Sequence, residues 1–197
     1  VCESCFGPLD VSYDFGDLDP SEARRKIQAG SRGIWRYADF LPLANQPGPS
    51  ARASSRSGLP AGCTPLIRAD RLAERLGLRE VWVKNDAANP THSFKDRVVS
   101  VASTRARELG YEVLACASTG NLANSVAAHG AALGMETYVF IPSDLEEQKV
   151  LATGVYGTTL VKVKGNYDDV NRLCTELSGE RDWAFVNVNM RPYYSEG

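Results

Sequence analysis

From Cys63 to Asn187 the chain alternates short runs of consecutive apolar residues with stretches whose apolar positions recur every three or four residues. Runs of the first kind suit strands buried on both faces, and stretches of the second kind suit amphipathic helices. Read this way, strands are predicted at 80–84 (EVWVK), 111–117 (YEVLACA), 137–141 (TYVFI), 158–163 (TTLVKV) and 183–188 (WAFVNV). Helices are predicted between them, over 96–109, 122–133, about 143–153 and about 167–177. The first carries Val98, Val101, Ala102, Ala106 and Leu109 along one face and stops at Gly110, and the second stops at Gly134. Pro142 ends its strand, and Ser143 with Glu146 has the spacing of a capping box. Trp82 and Trp183 lie within strands and read as core. The alternation predicts an α/β fold, a parallel twisted sheet flanked by helices. In such sheets ligands sit at the carboxyl ends of strands, where loops meet helix N-termini.

Upstream the pattern weakens. Residues 1–15 hold a Cys2-x-x-Cys5 knuckle and then an alternating stretch, Leu9 to Phe15. A helix is predicted from Pro20 to Ala29, since Asp19 suits the cap and proline suits the first turn. Residues 45–62 are rich in Gly, Pro and Ser and read as a linker or exposed loop. Three regions result: 1–15, an extension and linker over 16–61, and the α/β region over 62–197.

Charge and composition narrow the function classes. With 22 basic against 24 acidic residues the net charge is −2, which gives no basic footprint for nucleic acid. No apolar run reaches the length of a membrane span, and no segment resembles a signal peptide. The five cysteines are an odd set in which only Cys2 and Cys5 are close, so no disulfide framework is expected and the cytoplasm is the expected location. The chain opens without a methionine and closes just after a strand-like run, and so reads as incomplete at both ends.

Two loops carry candidate chemistry. The first is Asn85–Arg97, NDAANPTHSFKDR, after the strand 80–84. Pro90 keeps Asn89 out of the helical region, so the chain turns before a helix that starts near Ser93. Lys95 then falls in the first helical turn, beside unpaired N–H groups, as an amine able to attack an aldehyde. On a bare Lys-Asp-Arg pattern, a solvated charged turn is the simpler reading. The second loop is Ala117–Ser125, ASTGNLANS. Ser118, Thr119 and Asn121 supply hydroxyl and amide donors, Gly120 lets backbone approach a ligand, and the helix start suits an anion. Helix capping explains one such residue, not four in a row. An aldehyde-reactive lysine beside a carboxylate-binding turn suggests pyridoxal phosphate, a cofactor held by a lysine and used as an electron sink.

PTHSFKDR (90–97), STGNLANS (118–125), GCTPL (62–66), NVNMRPYYSEG (187–197) and the opening CFGPLDVSYD resemble the threonine synthases, among the tryptophan-synthase-β-like (fold type II) pyridoxal-phosphate enzymes. The resemblance runs along the whole chain in order and places it in the N-terminal half of such an enzyme. It implies that Lys95 binds the cofactor covalently and then moves protons, with Phe94 packed near the ring and Asn121 bonded to the ring hydroxyl. Ser118, Thr119, Gly120 and Asn121 would hold the substrate carboxylate, with Asn187 and Arg191 as candidates for its phosphate. The implied reaction takes O-phosphohomoserine and water to L-threonine and phosphate. A small substrate-side domain over about 100–190 and a homodimer of the full-length protein are implied as well.

The chain departs from the family in two respects. The glycine-rich loop that holds the cofactor phosphate in relatives has no counterpart, since GVYG and KGNYDD read as plain turns. A second CxxC that would complete a zinc ribbon is missing, and Cys63, Cys116 and Cys174 are poorly placed to complete four ligands, so no metal is expected. A fragment of this kind is expected to be inactive or nearly so. A sister enzyme such as a cysteate synthase, a threonine or serine dehydratase, and a non-catalytic relative are the alternatives. A hydrolase triad from His92 or His129 with Ser93 and Asp96 is disfavoured, because Ser93 lies in no nucleophile elbow.

Overall fold

The structure is a computed structural model that describes residues 2, 4, 5, 7, 9–43 and 58–197. Most of the predicted linker therefore lies outside the described residues. Four strands form one parallel sheet: β3 (Val113–Ala117), β4 (Glu136–Pro142), β5 (Thr159–Val163) and β6 (Ala184–Phe185). Their order is β5-β4-β3-β6. Leu114 pairs with Thr137 on one side and with Ala184 on the other.

Two earlier strands do not join this sheet. β1 (Leu66–Arg68) and β2 (Trp82–Lys84) pair with each other, antiparallel, with Ile67 opposite Val83. The predicted strand 80–84 is thus part of a separate ribbon, and β1 and the helix α2 (Asp70–Leu76) between the two were not anticipated. Trp82 is 49% exposed rather than core, as are its neighbours Leu66, Ile67 and Val83 in large part. Apolar character alone cannot distinguish a central strand from a ribbon, because both use β-branched and aromatic residues.

Helix α1 (Pro20–Ala29) forms as predicted, with the Asp19 carboxylate accepting from Ser21 N at 2.9 Å. A 3₁₀ segment follows at Ile34–Phe40. Around the sheet lie α3 (Lys95–Glu108), α4 (Asn121–Leu133), α5 (Glu147–Gly154), α6 (Tyr167–Glu180) and α7 (Arg191–Glu196). Alternation along β3 divides the core. Leu114 and Cys116 point to a cluster with Val99, Ala102, Val126 and Met190, while Ala115 and Ala117 point to one with Phe140, Val170, Cys174 and Phe185. Helices therefore cover both faces, as the alternating pattern predicts. Trp183 stacks on Tyr138 with ring centroids 4.4 Å apart.

Several helix boundaries differ from expectation for local reasons. Residues 183–188 contribute two strand residues, after which the chain turns. There Asn189 accepts from Phe185 N at 2.8 Å and donates to Trp183 O at 2.9 Å, which replaces further ladder bonds. The capping box is not at Ser143 and Glu146, where α5 starts without a side-chain cap, but at Asn166 and Asp169 on α6. Leu109, assigned to the buried face of α3, is exposed, whereas Ser100, Ser103 and Asp96 are fully buried. Helix α3 is enclosed nearly all round, so its amphipathic pattern understates its burial.

Candidate active site

Lys95 is the first residue of α3, and the Ser93 hydroxyl accepts its backbone N–H at 3.2 Å. The side chain is half-buried. Its Nζ lies 4.6 Å from the centre of the Phe94 ring and 5.1 Å from that of Tyr194, and it is hydrogen-bonded to the Tyr194 hydroxyl. The amine is thus bracketed by two aromatic rings instead of extending into solvent.

The loop before it is tightly specified. His92 has φ +59°, the left-handed region, and its Nδ1 lies 3.2 Å from Ala87 O. His92 shapes the turn, as its place ahead of the lysine suggests. Gly62, at φ +86°, donates to Asn89 Oδ1 at 2.9 Å, and a side chain at this position would strike the backbone of Ile34. Asp86 accepts from Arg97 at both oxygens, each at 2.8 Å, and from Thr64 Oγ1 at 2.6 Å. The GCTPL segment is therefore the frame that holds the lysine loop.

The Arg97 guanidinium brings the Asp86 carboxyl well below the usual carboxylate range, to about 2. A depressed folded value means that this contribution is complete above the ordinary carboxylate range and is lost as pH falls through the folded one. Its size is about 1–2 kcal/mol after allowing for partial exposure. Arg97→Gln is expected to lower stability by that amount at neutral pH, with the gap closing in acid. Urea midpoints across the acid range check it, and a gap that stays constant with pH would refute the assignment.

The second loop sits at the carboxyl end of β3. Ser118 is buried, and its hydroxyl accepts from Gly120 N at 3.3 Å and from Ala123 N at 3.2 Å. Thr119 is half-buried, and Gly120 and Asn121 are exposed. A Cβ on Gly120 would meet nothing within 4 Å, so the turn faces open space. Helix α4 starts there, and the first-turn amides not met by Ser118 are available to an anion. Asn187 accepts from Ala117 N and donates to Ala117 O, both at 3.3 Å, and Tyr167 also donates to Ala117 O at 3.1 Å. The Asn187 amide is thus engaged in fixing the strand end beneath the turn. Arg191 begins α7 and is exposed.

A buried carboxylate joins the two loops. Asp96, next to Lys95, is fully buried and accepts from Thr91 N, Thr91 Oγ1 and Ser125 Oγ, each at 2.7 Å. Ser125 lies one turn beyond Asn121 on α4. The wholly buried His129, also on α4, places Nε2 3.3 Å from Asp96 Oδ1 while its Nδ1 accepts from Leu59 N at 3.4 Å. With Nδ1 accepting, the ring proton sits on Nε2, toward the carboxylate. His129 and Asp96 therefore meet although they are on different helices. No triad results, because the serine present is Ser125, which donates to the carboxylate, and Ser93 instead accepts from the Lys95 backbone N–H.

Sequence reasoning singled out Lys95 and the turn at 118–121, weighed Asp96 and His129 only for a hydrolase triad, and did not anticipate Tyr194 beside the lysine. Spacing carries no signal for the Lys95–Tyr194 pair, which lie 99 positions apart. Among the described residues, no group of three or more His, Cys, Asp or Glu could hold a metal ion, and no helix is long and apolar enough to cross a membrane. Cys2, whose backbone N–H donates to Gly7 O at 2.9 Å, and Cys5 are free thiols.

A half-buried amine between aromatic rings thus heads α3, and Asp96 beside it accepts from Ser125 on α4, the helix that begins at the 118–121 turn. Residues 59–197 match the model of the family described as pyridoxal-phosphate dependent enzyme. The chain belongs to that family. Its cofactor is pyridoxal 5′-phosphate. Among curated proteins, it is 38% identical over 198 residues to a threonine synthase of Methanocaldococcus jannaschii, covering all of this chain and 47% of that protein. It is 35% identical over 198 residues to a threonine synthase of Methanosarcina acetivorans, covering 100% of this chain and 46% of that one. The chain thus spans about half the length of these relatives. Among solved structures, threonine deaminase isoform 2 from Solanum lycopersicum matches 62% of this chain and 34% of its own, with a TM-score of 0.57 and 26% identity. Diaminopropionate ammonia lyase from Escherichia coli covers 91% of this chain and 47% of its own, with a TM-score of 0.59; at 18% identity it speaks for the fold alone. The α/β architecture with a parallel sheet is that of these fold type II enzymes.

Proposed function

We propose that this chain is the N-terminal half of a threonine synthase, which converts O-phosphohomoserine and water to L-threonine and phosphate. The observation that carries the reading is the bracketed Lys95 amine at the head of α3, beside Asp96, which accepts from Ser125 on the helix that begins at the 118–121 turn. The threonine synthases that match the chain from end to end support it.

Bound at Lys95, pyridoxal phosphate supplies an electron sink for the carbanions the reaction needs. Lys95, whose amine lies between the Phe94 and Tyr194 rings, carries protons to and from the substrate carbons. Phe94, half exposed beside it, offers a flat apolar face to an aromatic ring. The Asn121 amide, exposed at the first position of α4, would bond the ring hydroxyl. Thr119, Gly120 and the α4 amides take the substrate carboxylate, and Ser118 holds the turn in shape for it. Arg191, exposed at the start of α7, is the candidate for the leaving phosphate, with Asn187 acting on that side by fixing Ala117. Alone, the chain binds the cofactor weakly and turns over little or nothing.

In protein of the relatives' full length, pyridoxal phosphate is expected to give a visible absorption band that Lys95→Ala abolishes. Activity should fall by at least about a thousandfold in the variant, the scale of losing a principal acid–base group. Phosphate release from O-phosphohomoserine is compared with that from O-phosphoserine plus sulfite. No release from the former would end the threonine assignment, and release only from the latter pair would select the cysteate synthase.

A further inference from the structure

Helix α7 brings a second functional group to the lysine. The Tyr194 hydroxyl is hydrogen-bonded to Lys95 Nζ, and among the described residues no other hydrogen-bond partner reaches that nitrogen. Tyr194 is held there from several directions. Its backbone N–H donates to Met190 O at 3.0 Å, and Met190, 1% exposed, belongs to the core beneath α3. The preceding Tyr193 ring lies under the Arg105 guanidinium, 5.3 Å from its centroid. At the far end of α7, Glu196 accepts from the Tyr13 hydroxyl at 2.5 Å, so the N-terminal segment pins the helix as well. A helix anchored on three sides presents the phenol in one place.

The chemistry of the amine gives that phenol a use. When an amine condenses with an aldehyde, the nitrogen lone pair forms the carbon–nitrogen bond and the carbonyl π pair moves to oxygen. Nitrogen then sheds two protons in turn, and both must reach that oxygen: the first makes the carbinolamine hydroxyl and the second lets it leave as water. A phenol has both a proton and lone pairs. It accepts from a charged ammonium, donates to a neutral amine, and can receive a proton from nitrogen while passing its own to oxygen, ending unchanged.

We propose that Tyr194 is a further catalytic residue of this site, whose hydroxyl orients the Lys95 amine and relays protons between that nitrogen and the oxygen of a bound aldehyde. This rests on reading Lys95 as the aldehyde-condensing residue.

The test is reductive labelling of the 197-residue chain with pyridoxal phosphate and cyanoborohydride, with the adduct at each lysine quantified by mass spectrometry across neutral to alkaline pH. Tyr194→Phe keeps the ring and removes the hydroxyl. It is expected to slow labelling at Lys95 by about a hundredfold, a usual share for proton transfer. The pH profile should change shape and thermal melting should be unaltered. Tyr193→Phe should label as the parent chain does, and Tyr194→Gln, which restores a donor and an acceptor, should recover part of the rate. Should Tyr194→Phe melt early, Tyr194→Gln decides alone: a rate with the parent pH profile overturns the proposal. So does an unchanged rate and profile in Tyr194→Phe. If the parent chain labels other lysines but not Lys95, the aldehyde reading itself fails and this proposal falls with it.

Discussion

Asp96→Asn is expected to lower the stability of the chain by about 3 kcal/mol, from the loss of charge-assisted hydrogen bonds at a site water cannot reach. One carboxylate oxygen accepts from Thr91 N; the other accepts from Thr91 Oγ1 and Ser125 Oγ and faces His129 Nε2. In either orientation an asparagine amide points its own N–H at one of these donors, and both are then buried without an acceptor. Against a usual total of about 5–15 kcal/mol, that is a large fraction. Ser125→Ala removes a single donor and leaves the carboxylate otherwise served, so it should cost only about 1 kcal/mol.

The same contacts set a pH dependence. Burial pushes the Asp96 carboxyl up, but the nearby His129 ring and the bonds from Thr91 and Ser125 together hold it below its ordinary value. Its contribution is therefore whole above the ordinary carboxylate range and is lost as pH falls. Asp96→Asn should flatten the acid limb of the stability profile while lowering the plateau. Urea midpoints for the two variants decide the matter. If Asp96→Asn is no more harmful than Ser125→Ala, the carboxylate does not bind the two loops together.

Gly130→Ala is expected to destabilise by about 1–3 kcal/mol, although alanine is the better helix former by about 1 kcal/mol. Gly130 is buried in α4, where the helix passes over the start of β4. A Cβ there would overlap the Thr137 methyl group, with Leu114 Cδ1 3.7 Å away. Thr137 is buried and its strand is paired on both sides, so neither partner can retreat cheaply. The overlap outweighs the propensity gain, which fixes the sign. Thr137→Ser removes the obstructing methyl, and the double variant should recover most of the loss by thermal melting. A single variant as stable as the parent would mean that α4 can lift off the sheet freely. The turn at its head would then be poorly fixed as well.

Much of the architecture was legible because it follows from periodicity. The strands at 113–117, 136–142 and 159–163 and the helices at 95–108, 121–133 and 167–180 lie within a few residues of the apolar pattern. What misled was pattern without context. The run 80–84 has the composition of a sheet strand, yet β2 pairs with β1 outside the sheet, because pairing depends on which segments meet and not on what one segment contains. Residues 183–188 look like a strand throughout, yet Asn187 and Asn189 draw their side chains onto nearby backbone and close the strand after two residues.

By itself, the sequence singled out two candidate stretches: a lysine in a helix's first turn and a Ser-Thr-Gly-Asn turn at the head of another helix. Those are local matters, settled by what proline, glycine and hydroxyl side chains allow over a few residues. Only the tertiary structure decided what surrounds them. Asp96, His129 and Ser125 meet because α3 and α4 pack face to face, and Tyr194 reaches Lys95 because α7 folds back beside α3. Contacts across that much chain arise from packing many apolar surfaces at once, and no spacing along the sequence encodes them.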